Sequence, residues 1–405
     1  MKNISRYILI AIAVLAFMVA LPELYWLAFE KPITSPFVMY SCVDDDFVFI
    51  HNGVRSDNKG NELTLDEYEQ KLPLLNIRQL LVSGTMPDTI KGIPVDPQEI
   101  NAHRSYFRFK PATMNAPKPG IYPLFESESG RAQLQMPKDF FRIKNRMEFV
   151  DAASNTVDEE KTQMFTAVLQ NRGFRFPAKM IEGLPTTRKS CDEGYLVIDD
   201  NDLLYHVKMI EGKPYVKKVD LPEGMRFKYI NCVDFKDKKY YGYLFSEDNG
   251  LYVLTQDDYQ LIKWPVEGLD PEKEEIRIYG DLFNYDIVAV GEDHENVTVL
   301  DYNYQMVDKY EETWLSREER KEGRIADLLF PARISLSDQY SSFINFYFSR
   351  STGYAWLIFN LILVIGQFII FRFRKLKNKS QFIDLGIVAV TGIFGFIAVN
   401  IFPNK

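Results

Sequence analysis

The residues best suited to chemistry in this sequence are its histidines and several short acidic runs. The four histidines are His51, His103, His206 and His294, and no two of them have the spacing of a metal site. The acidic runs at 44–46, 199–202 and 292–295 lack the alternating carboxylates of a calcium loop. Aspartate and asparagine in tight turns are explained by hydrogen bonds to the local backbone. We therefore predict no metal site and no cofactor-binding residue.

The sequence also lacks the motifs of common catalytic machineries. It has no GxxxxGK[ST] phosphate loop, no GxSxG nucleophile elbow, no HExxH motif and no CxxC pair. We therefore predict a non-enzymatic protein with no catalytic residue. The alternative is a hydrolase whose carboxylates or histidine are brought together by the fold.

The elements that must position these residues are short strands in a repeat. Segments beginning at Tyr195, Tyr243 and Ile287 each read as a strand, an acidic turn and a return strand. The first two align without a gap at an offset of 48 residues, and the third follows after about 45. This period, with about four strands per unit, is typical of β-propeller blades. We predict a propeller-like, mainly-β domain with its clearest repeats at 190–312; the alternative is a set of stacked hairpins that does not close.

Two short helical insertions interrupt the strand pattern. Thr64 and Glu67 have the spacing of a capping box, which opens a helix toward Leu75. Residues 156–170 begin with an acidic turn and are followed by Gly173, as expected of a helix start and stop.

Three apolar segments, 7–29, 354–371 and 382–402, have about the 20 residues that a helix needs to cross a bilayer. We predict three transmembrane helices, one N-terminal and two C-terminal. The predicted organisation is an anchor at 1–29, an exported domain at 30–351, a helix at 352–371, a basic loop at 372–381 and a helix at 382–402. The first segment has a cleaved signal peptide as its alternative, because it shares the charged start and the apolar run.

Charged residues set the predicted orientation. Lys2 and Arg6 precede the first segment, and five lysines and arginines lie in the loop at 372–381. By the positive-inside rule the N-terminus and this loop are cytoplasmic, the large domain is periplasmic and the C-terminus lies outside the inner membrane. The terminal parts carry +1 and +5 of the total charge of −8, which leaves −14 on residues 30–351. This acidic balance argues against nucleic-acid binding.

The predicted orientation also gives the compartment of the three cysteines. Cys42, Cys191 and Cys232 all lie in the exported segment, where oxidising conditions permit disulfides. Cys191 precedes the β repeat and Cys232 lies within it. We predict that these two form a disulfide and that Cys42 is a free thiol.

Polar and small residues mark one face of each C-terminal segment. Asn360 and Gln367 lie seven residues apart, and Thr391 and Gly395 have the small-xxx-small spacing of close helix pairs. These residues predict helix packing, either between the two segments or against a partner membrane subunit.

A longer stretch resembles a known family. The matching sequence pieces are GFRFPA at 173–178, GLPTTRK at 183–189, DEGY at 192–195, HVK at 206–208 and GKP at 212–214. They resemble an uncharacterised bacterial family of membrane-anchored proteins of unknown function, often encoded beside the ATP-binding subunit of an ABC-type transporter. The resemblance implies a membrane permease and a cytoplasmic ATPase as partners, and it implies no catalytic residue.

These observations favour a non-enzymatic subunit or accessory protein of an ABC-type transport system, with an extracytoplasmic domain that binds a ligand or partner. A transmembrane sensor is the first alternative, although a cytoplasmic loop of about ten residues leaves no room for a signalling domain. A membrane-tethered envelope hydrolase is the second.

Overall fold

A computed structural model describes residues 2–351, 353–374 and 380–403. The chain divides into two units. The helical unit consists of Met1–Ser35, Glu292–His294 and Glu312–Lys405, and the β unit consists of Pro36–Gly291 and Glu295–Glu311. Three of the five basic residues predicted in the cytoplasmic loop, Lys375, Lys377 and Lys379, lie outside the described residues.

The β unit confirms the prediction of a mainly-β domain built from antiparallel sheets. In chain order its strands are β1 (Phe37–Ser41), β2 (Asp46–His51), β3 (Val54–Asp57), β4 (Thr89–Ile90), β5 (Ile93–Pro94), β6 (Ser105–Phe109), β7 (Tyr122–Pro123), β8 (Asp139–Ile143), β9 (Met147–Asp151), β10 (Met180–Gly183), β11 (Tyr195–Ile198), β12 (Leu204–Ile210), β13 (Lys213–Lys218), β14 (Phe227–Cys232), β15 (Tyr240–Ser246), β16 (Leu251–Thr255), β17 (Leu261–Lys263), β18 (Glu275–Gly280), β19 (Asn284–Val290), β20 (His294–Asp301) and β21 (Met306–Thr313). The larger sheets have the orders β1-β2-β3, β7-β8-β9, β10-β11-β12-β13, β14-β15-β16-β17 and β21-β20-β19-β18-β6.

The repeated hairpins predicted from the sequence are the centres of three of these sheets. They are the antiparallel pairs β11–β12, β15–β16 and β19–β20. The turns of the first two contain a residue with positive φ, Asp202 at 64° and Asn249 at 63°. Aspartate and asparagine tolerate this conformation better than most residues, which explains the acidic turns without a metal.

Each sheet of the repeat packs on its neighbour through a buried apolar layer. Leu196, Ile230 and Leu244 join the sheet of β11 to that of β15. Phe245, Trp264 and Ile278 join the latter to the sheet of β18. The N-terminal sheet packs on the same five-stranded sheet through a cluster that includes Tyr40, Val288 and Val299. Burying each such side chain contributes about 1.5–3 kcal/mol, so these layers fix the order of the sheets.

The β unit also contains helices, in chain order α2 (Leu65–Lys71), α3 (Ile77–Ser83), α4 (Pro97–His103), α5 (Pro111–Met114) and α6 (Glu159–Asn171). The predicted capping box is present, with the Thr64 side chain accepting from the Glu67 N–H and the Glu67 carboxylate accepting from the Thr64 N–H. Helix α6 matches the second predicted insertion. The first insertion is larger than predicted, because α3 and α4 follow α2 before β6 begins.

The helical unit contains α1 (Lys2–Phe29), α7 (Lys321–Leu329), α8 (Ala355–Phe373), α9 (Ser380–Thr391) and α10 (Ile393–Ile401), and the strands β22 (Ala332–Ser335) and β23 (Tyr347–Arg350). Among the described residues, two helices are long and apolar enough to cross a membrane, within α1 and α8. Pro22 lies inside α1 and does not end it.

The third apolar segment is not the single spanning helix that the sequence predicts. Gly392, with φ of 59° and ψ of −130°, breaks it into α9 and α10. At 1.5 Å per residue these helices are about 18 and 14 Å long, too short for a hydrocarbon core of about 30 Å. The prediction over 382–402 is therefore corrected to two short helices.

These two short helices form a hairpin, so that the chain after α10 lies close to the start of α1. Arg6 near the start of α1 donates two hydrogen bonds of 2.9 Å to Asp384 in α9 and one of 2.8 Å to the carbonyl of Phe402 after α10. A Cβ on Gly395 would lie 3.0 Å from the carbonyl oxygen of Ile387, eight residues earlier. In a straight helix those positions are about 12 Å apart. Both ends of the hairpin therefore lie at the end of the unit that carries Arg6, and the predicted outside C-terminus is not confirmed.

Candidate ligand-binding cleft

The β unit contains a cleft of about 810 Å³, a volume in the range of small-molecule sites. Its wall combines four parts of the chain: β1, helix α3 with the end of α4, the loop after β14, and the β18–β19 turn. The lining residues are Met39, Leu74, Leu75, Asn76, Arg78, Gln79, Asn101, Arg104, Ser105, Tyr106, Asp234, Phe235, Lys236, Tyr279, Gly280, Asp281 and Asp286. The cleft is thus a product of chain segments that are far apart in sequence.

One side of the cleft is basic. Helix α3 buries Ile77 and Leu80, which leaves Arg78 exposed on the opposite face. Arg104 follows α4, where its extended backbone ends the helix and leads into β6. Within the part of the chain that the structure describes, neither guanidinium forms a hydrogen bond or an ion pair within 4 Å, although the charge of Arg104 acts on Asp281 across the cleft. Unpaired arginines in a cleft are suited to bind a carboxylate or a phosphate group.

The other side carries two aspartates. Asp281 accepts hydrogen bonds from the N–H groups of Phe283, at 2.8 Å, and Asn284, at 2.9 Å. Asp286 accepts one from the N–H of Tyr40 at 2.8 Å. Burial raises the pKa of both carboxyl groups, and for Asp286, where the charge of Asp281 adds to the effect, the pKa reaches about 8. Asp286 is therefore largely protonated at neutral pH and can donate a hydrogen bond into the cleft.

Apolar side chains complete the wall. Met39, Leu74 and Phe235 line the cleft, and the rings of Tyr106 and Tyr279 pack together with centroids 5.0 Å apart. A cleft with a few polar groups on an apolar wall can hold a small molecule that has both a charged end and an apolar body.

Asp234 connects the cleft to an ion-pair network, four of whose members belong to the stretch that resembles a known family. Lys189 pairs with Asp192 at 3.0 Å and with Asp234 at 3.1 Å, and Lys238 pairs with Asp234 at 2.6 Å. Glu193 pairs with Lys238 and Lys208. Burial alone would raise the pKa of Asp234, but its two lysines hold that pKa below the usual value. The network neutralises its own charges, so its role is to hold the loop before β11 in place.

His206 also has a structural environment. It is buried, its ring contacts the Tyr259 hydroxyl at 2.9 Å and the Glu193 carbonyl, and it packs on Tyr241. Burial, reinforced by the charge of Lys208, lowers the pKa of His206 to about 3. The described residues contain no group of three or more histidine, cysteine, aspartate or glutamate side chains that could hold a metal ion.

The predicted disulfide between Cys191 and Cys232 is absent, and the structure has both as free thiols, like Cys42. Their sulfur atoms have different partners. The Cys232 thiol donates to the carbonyl of Glu182 at 3.0 Å, while the Cys191 sulfur accepts from Lys238 at 3.4 Å. The positions of Cys191 before the β repeat and of Cys232 within it therefore did not lead to a disulfide.

The four predicted helix-packing residues lie in the helical unit between α8 and the α9–α10 hairpin. Asn360 donates to the carbonyl of Ala389 at 2.9 Å, and Gln367 accepts from Asn400 at 2.6 Å. Thr391 donates to the Ile387 carbonyl at 2.7 Å, and Gly395 lies directly against Thr391. The contacts of Asn360 and Gln367 therefore join the two C-terminal segments, whereas those of Thr391 and Gly395 lie within the α9–α10 hairpin.

Sequence reasoning missed the cleft residues. Arg78 lies in α3 and Arg104 directly follows α4, two helices that the strand pattern does not predict, and no motif marks either residue. Asp286 did have a signal, since it is a lone carboxylate in the otherwise uncharged strand Asn284–Val290. A charged residue in a buried strand requires a partner or a shifted pKa.

A family model described as a domain of unknown function (DUF4857) matches residues 37–300. No curated protein matches the chain. Among solved structures, dihydro-heme d1 dehydrogenase NirN in complex with DHE is 8% identical, and the match covers 56% of this chain and 66% of that one with a TM-score of 0.21. The chain thus spans less than two thirds of that structure, and a TM-score this low does not indicate a shared fold.

Proposed function

The chain belongs to the DUF4857 family, and we propose that it is a membrane-anchored, non-enzymatic subunit of an ABC-type transport system that binds a small ligand outside the cytoplasm. The observation that carries the proposal is the cleft of about 810 Å³ with two unpaired arginines. The ligand carries a carboxylate or phosphate for Arg78 and Arg104. It also has a hydrogen-bonding group that faces Asp286 and an apolar part that packs on Leu74.

The helical unit supports the anchoring part of the proposal. Helices α1 and α8 have the length and composition of membrane spans. The basic residues Lys2 and Arg6 support a cytoplasmic start of α1 by the positive-inside rule. Because Arg6 binds both ends of the α9–α10 hairpin, we propose that the C-terminal end is cytoplasmic as well and that the hairpin enters the membrane without crossing it.

The arrangement of the sheets supports a propeller-like form for the exported part. Two of the sheets have four strands in simple antiparallel order, and consecutive sheets bury apolar layers between them. This is the arrangement of neighbouring blades. The resemblance noted for residues 173–214 supports the transport partner, and purification in mild detergent tests it: a permease and an ATPase should co-purify above background.

Ligand binding is tested with the full-length protein in detergent. A panel of small carboxylates and phosphates should include compounds that raise the thermal unfolding temperature. Arg104→Gln and Arg78→Gln should each weaken binding by about 10-fold or more, because each removes a charge-assisted hydrogen bond. Arg131→Gln, at an exposed arginine outside the cleft, is the matched control and should bind normally. The proposal fails if both cleft variants bind like the unmodified protein.

A further inference from the structure

The hairpin of β22 and β23 carries an exposed apolar tip. The exposed fractions are 48% for Phe343, 88% for Ile344 and 77% for Phe346. Between Gln339 and Ser349 the sequence has no charged residue. Loops exposed to water are normally polar, so an uncharged aromatic tip indicates a contact surface.

The two arginines of this hairpin lie at its base, and the loop between its strands contains one carboxylate, Asp338, which accepts a hydrogen bond from the N–H of Tyr340 at 3.0 Å. Arg333 donates to Ser349 at 2.7 Å across the two strands and pairs with Glu318 at 2.7 Å. Ala332 pairs with Arg350 at the first position of the ladder. The hairpin is therefore amphipathic along its length, with a polar base and an apolar tip.

The base lies beside the ends of the two long apolar helices. Ala332 and Arg350 line a small cavity together with Pro22 and Trp26, which belong to the last turns of α1. Arg350 is also five residues before Ala355, where α8 begins. The hairpin is thus attached beside the C-terminal turns of α1 and just before the first residue of α8.

The composition of the tip corresponds to that of a membrane interface. Side chains on the outer faces of the long helices, such as Ile12 and Ile362, are each 59% exposed, as expected for groups that meet acyl chains. The tip exposes its side chains to a similar or greater degree and adds phenylalanines. Phenylalanine and aliphatic side chains are common on the apolar faces of segments that insert at the boundary between headgroups and acyl chains.

We propose that the tip formed by Phe343, Ile344 and Phe346 inserts into the outer leaflet of the membrane and binds lipid. The proposal rests on the membrane anchoring proposed above. Lipid is favoured over a protein partner because the base of the hairpin lies beside the last turns of α1 and shortly before the start of α8, and because residues 339–349 lack the charges that set register between proteins. Such a contact would hold the base of the exported part against the bilayer.

The test uses the full-length protein in vesicles of phosphatidylethanolamine and phosphatidylglycerol. The photoreactive residue p-benzoylphenylalanine replaces Phe346, and illumination joins its ketone carbon to a nearby C–H carbon. Ile362 on α8 is the positive control for lipid contact. Val82 in α3, 85% exposed in the β unit, is the matched control for an exposed aliphatic position.

We expect phospholipid adducts by mass spectrometry at 346 and 362 and at least 10-fold less at 82. Adducts at 362 without adducts at 346 would overturn the proposal, as would a protein adduct at 346. Absence of lipid adducts at 362 would instead contradict the membrane anchoring of α8, so the two failures are distinguishable.

Discussion

At the residue scale, the cleft contains carboxyl groups whose environments differ sharply. Asp234 is held ionised by two lysines, whereas Asp286 lies among apolar strands and is held neutral at pH 7. The sequence shows an aspartate at each position and does not distinguish the two. Only the tertiary neighbours decide which carboxyl group is charged.

Asp286 gives a prediction for the pH dependence of stability. Its pKa is about 8 in the folded protein against an ordinary value of 3.8, so the folded state binds an additional proton between these values. Stability should therefore fall as the pH rises from about 4 to about 8 and change no further through this group. Asp286→Asn retains an acceptor for the Tyr40 N–H and removes the charge. We expect it to raise the free energy of unfolding at pH 8, with an upper bound on the order of 5 kcal/mol, and to have little effect at pH 4.

The measurement is thermal unfolding of Asp286→Asn and of the unmodified protein from pH 4 to 9. Asp257→Asn, at an exposed position outside the cleft, controls for the loss of one carboxylate. Equal melting curves for Asp286→Asn and the unmodified protein across this range would contradict the assignment.

At the element scale, the strands follow from local sequence and the last two helices do not. The hairpins were predicted because alternating apolar residues and turn residues act over a few positions. The break at Gly392 was missed because hydropathy counts apolar residues and does not detect a reversal of the backbone. Its signal was the glycine, which alone tolerates that φ and ψ without strain.

Gly392 should therefore resist substitution. A Cβ at this position would lie 2.2 Å from the Asn360 side-chain oxygen, and its positive φ disfavours any other residue. We expect Gly392→Ala to lower the free energy of unfolding of the helical unit by about 1–3 kcal/mol, measured by SDS titration in mixed micelles. The control is Gly386→Ala in α9, where a Cβ meets nothing within 4 Å. This control should be neutral or stabilising, and similar losses for both variants would argue against the hairpin.

At the scale of the whole molecule, the hydrogen bonds of Arg6 to Asp384 and Phe402 distinguish two possible membrane topologies. Three crossings would place the two ends of the chain on opposite sides of the membrane. Two crossings and a hairpin place them on the same side.

The side of the membrane on which the C-terminal end lies is measured with reporter fusions. Green fluorescent protein fused after Lys405 should fluoresce and alkaline phosphatase there should be inactive, because both would be cytoplasmic. Phosphatase fused after Ser351 should be active and serves as the control for the exported side. An active phosphatase after Lys405 would contradict the hairpin and restore the third crossing.

The sequence by itself determined the local features: the strand repeats, the capping box at Thr64, two long apolar helices and the acidic character of the segment between them. These depend on residue type and spacing within a few turns or strands. The tertiary structure alone decided the free thiols of Cys191 and Cys232, the reversal at Gly392 and the cleft that joins Arg104 to Asp286. Each of these results from contacts between residues far apart in the chain, and such contacts leave no periodic signal in one sequence.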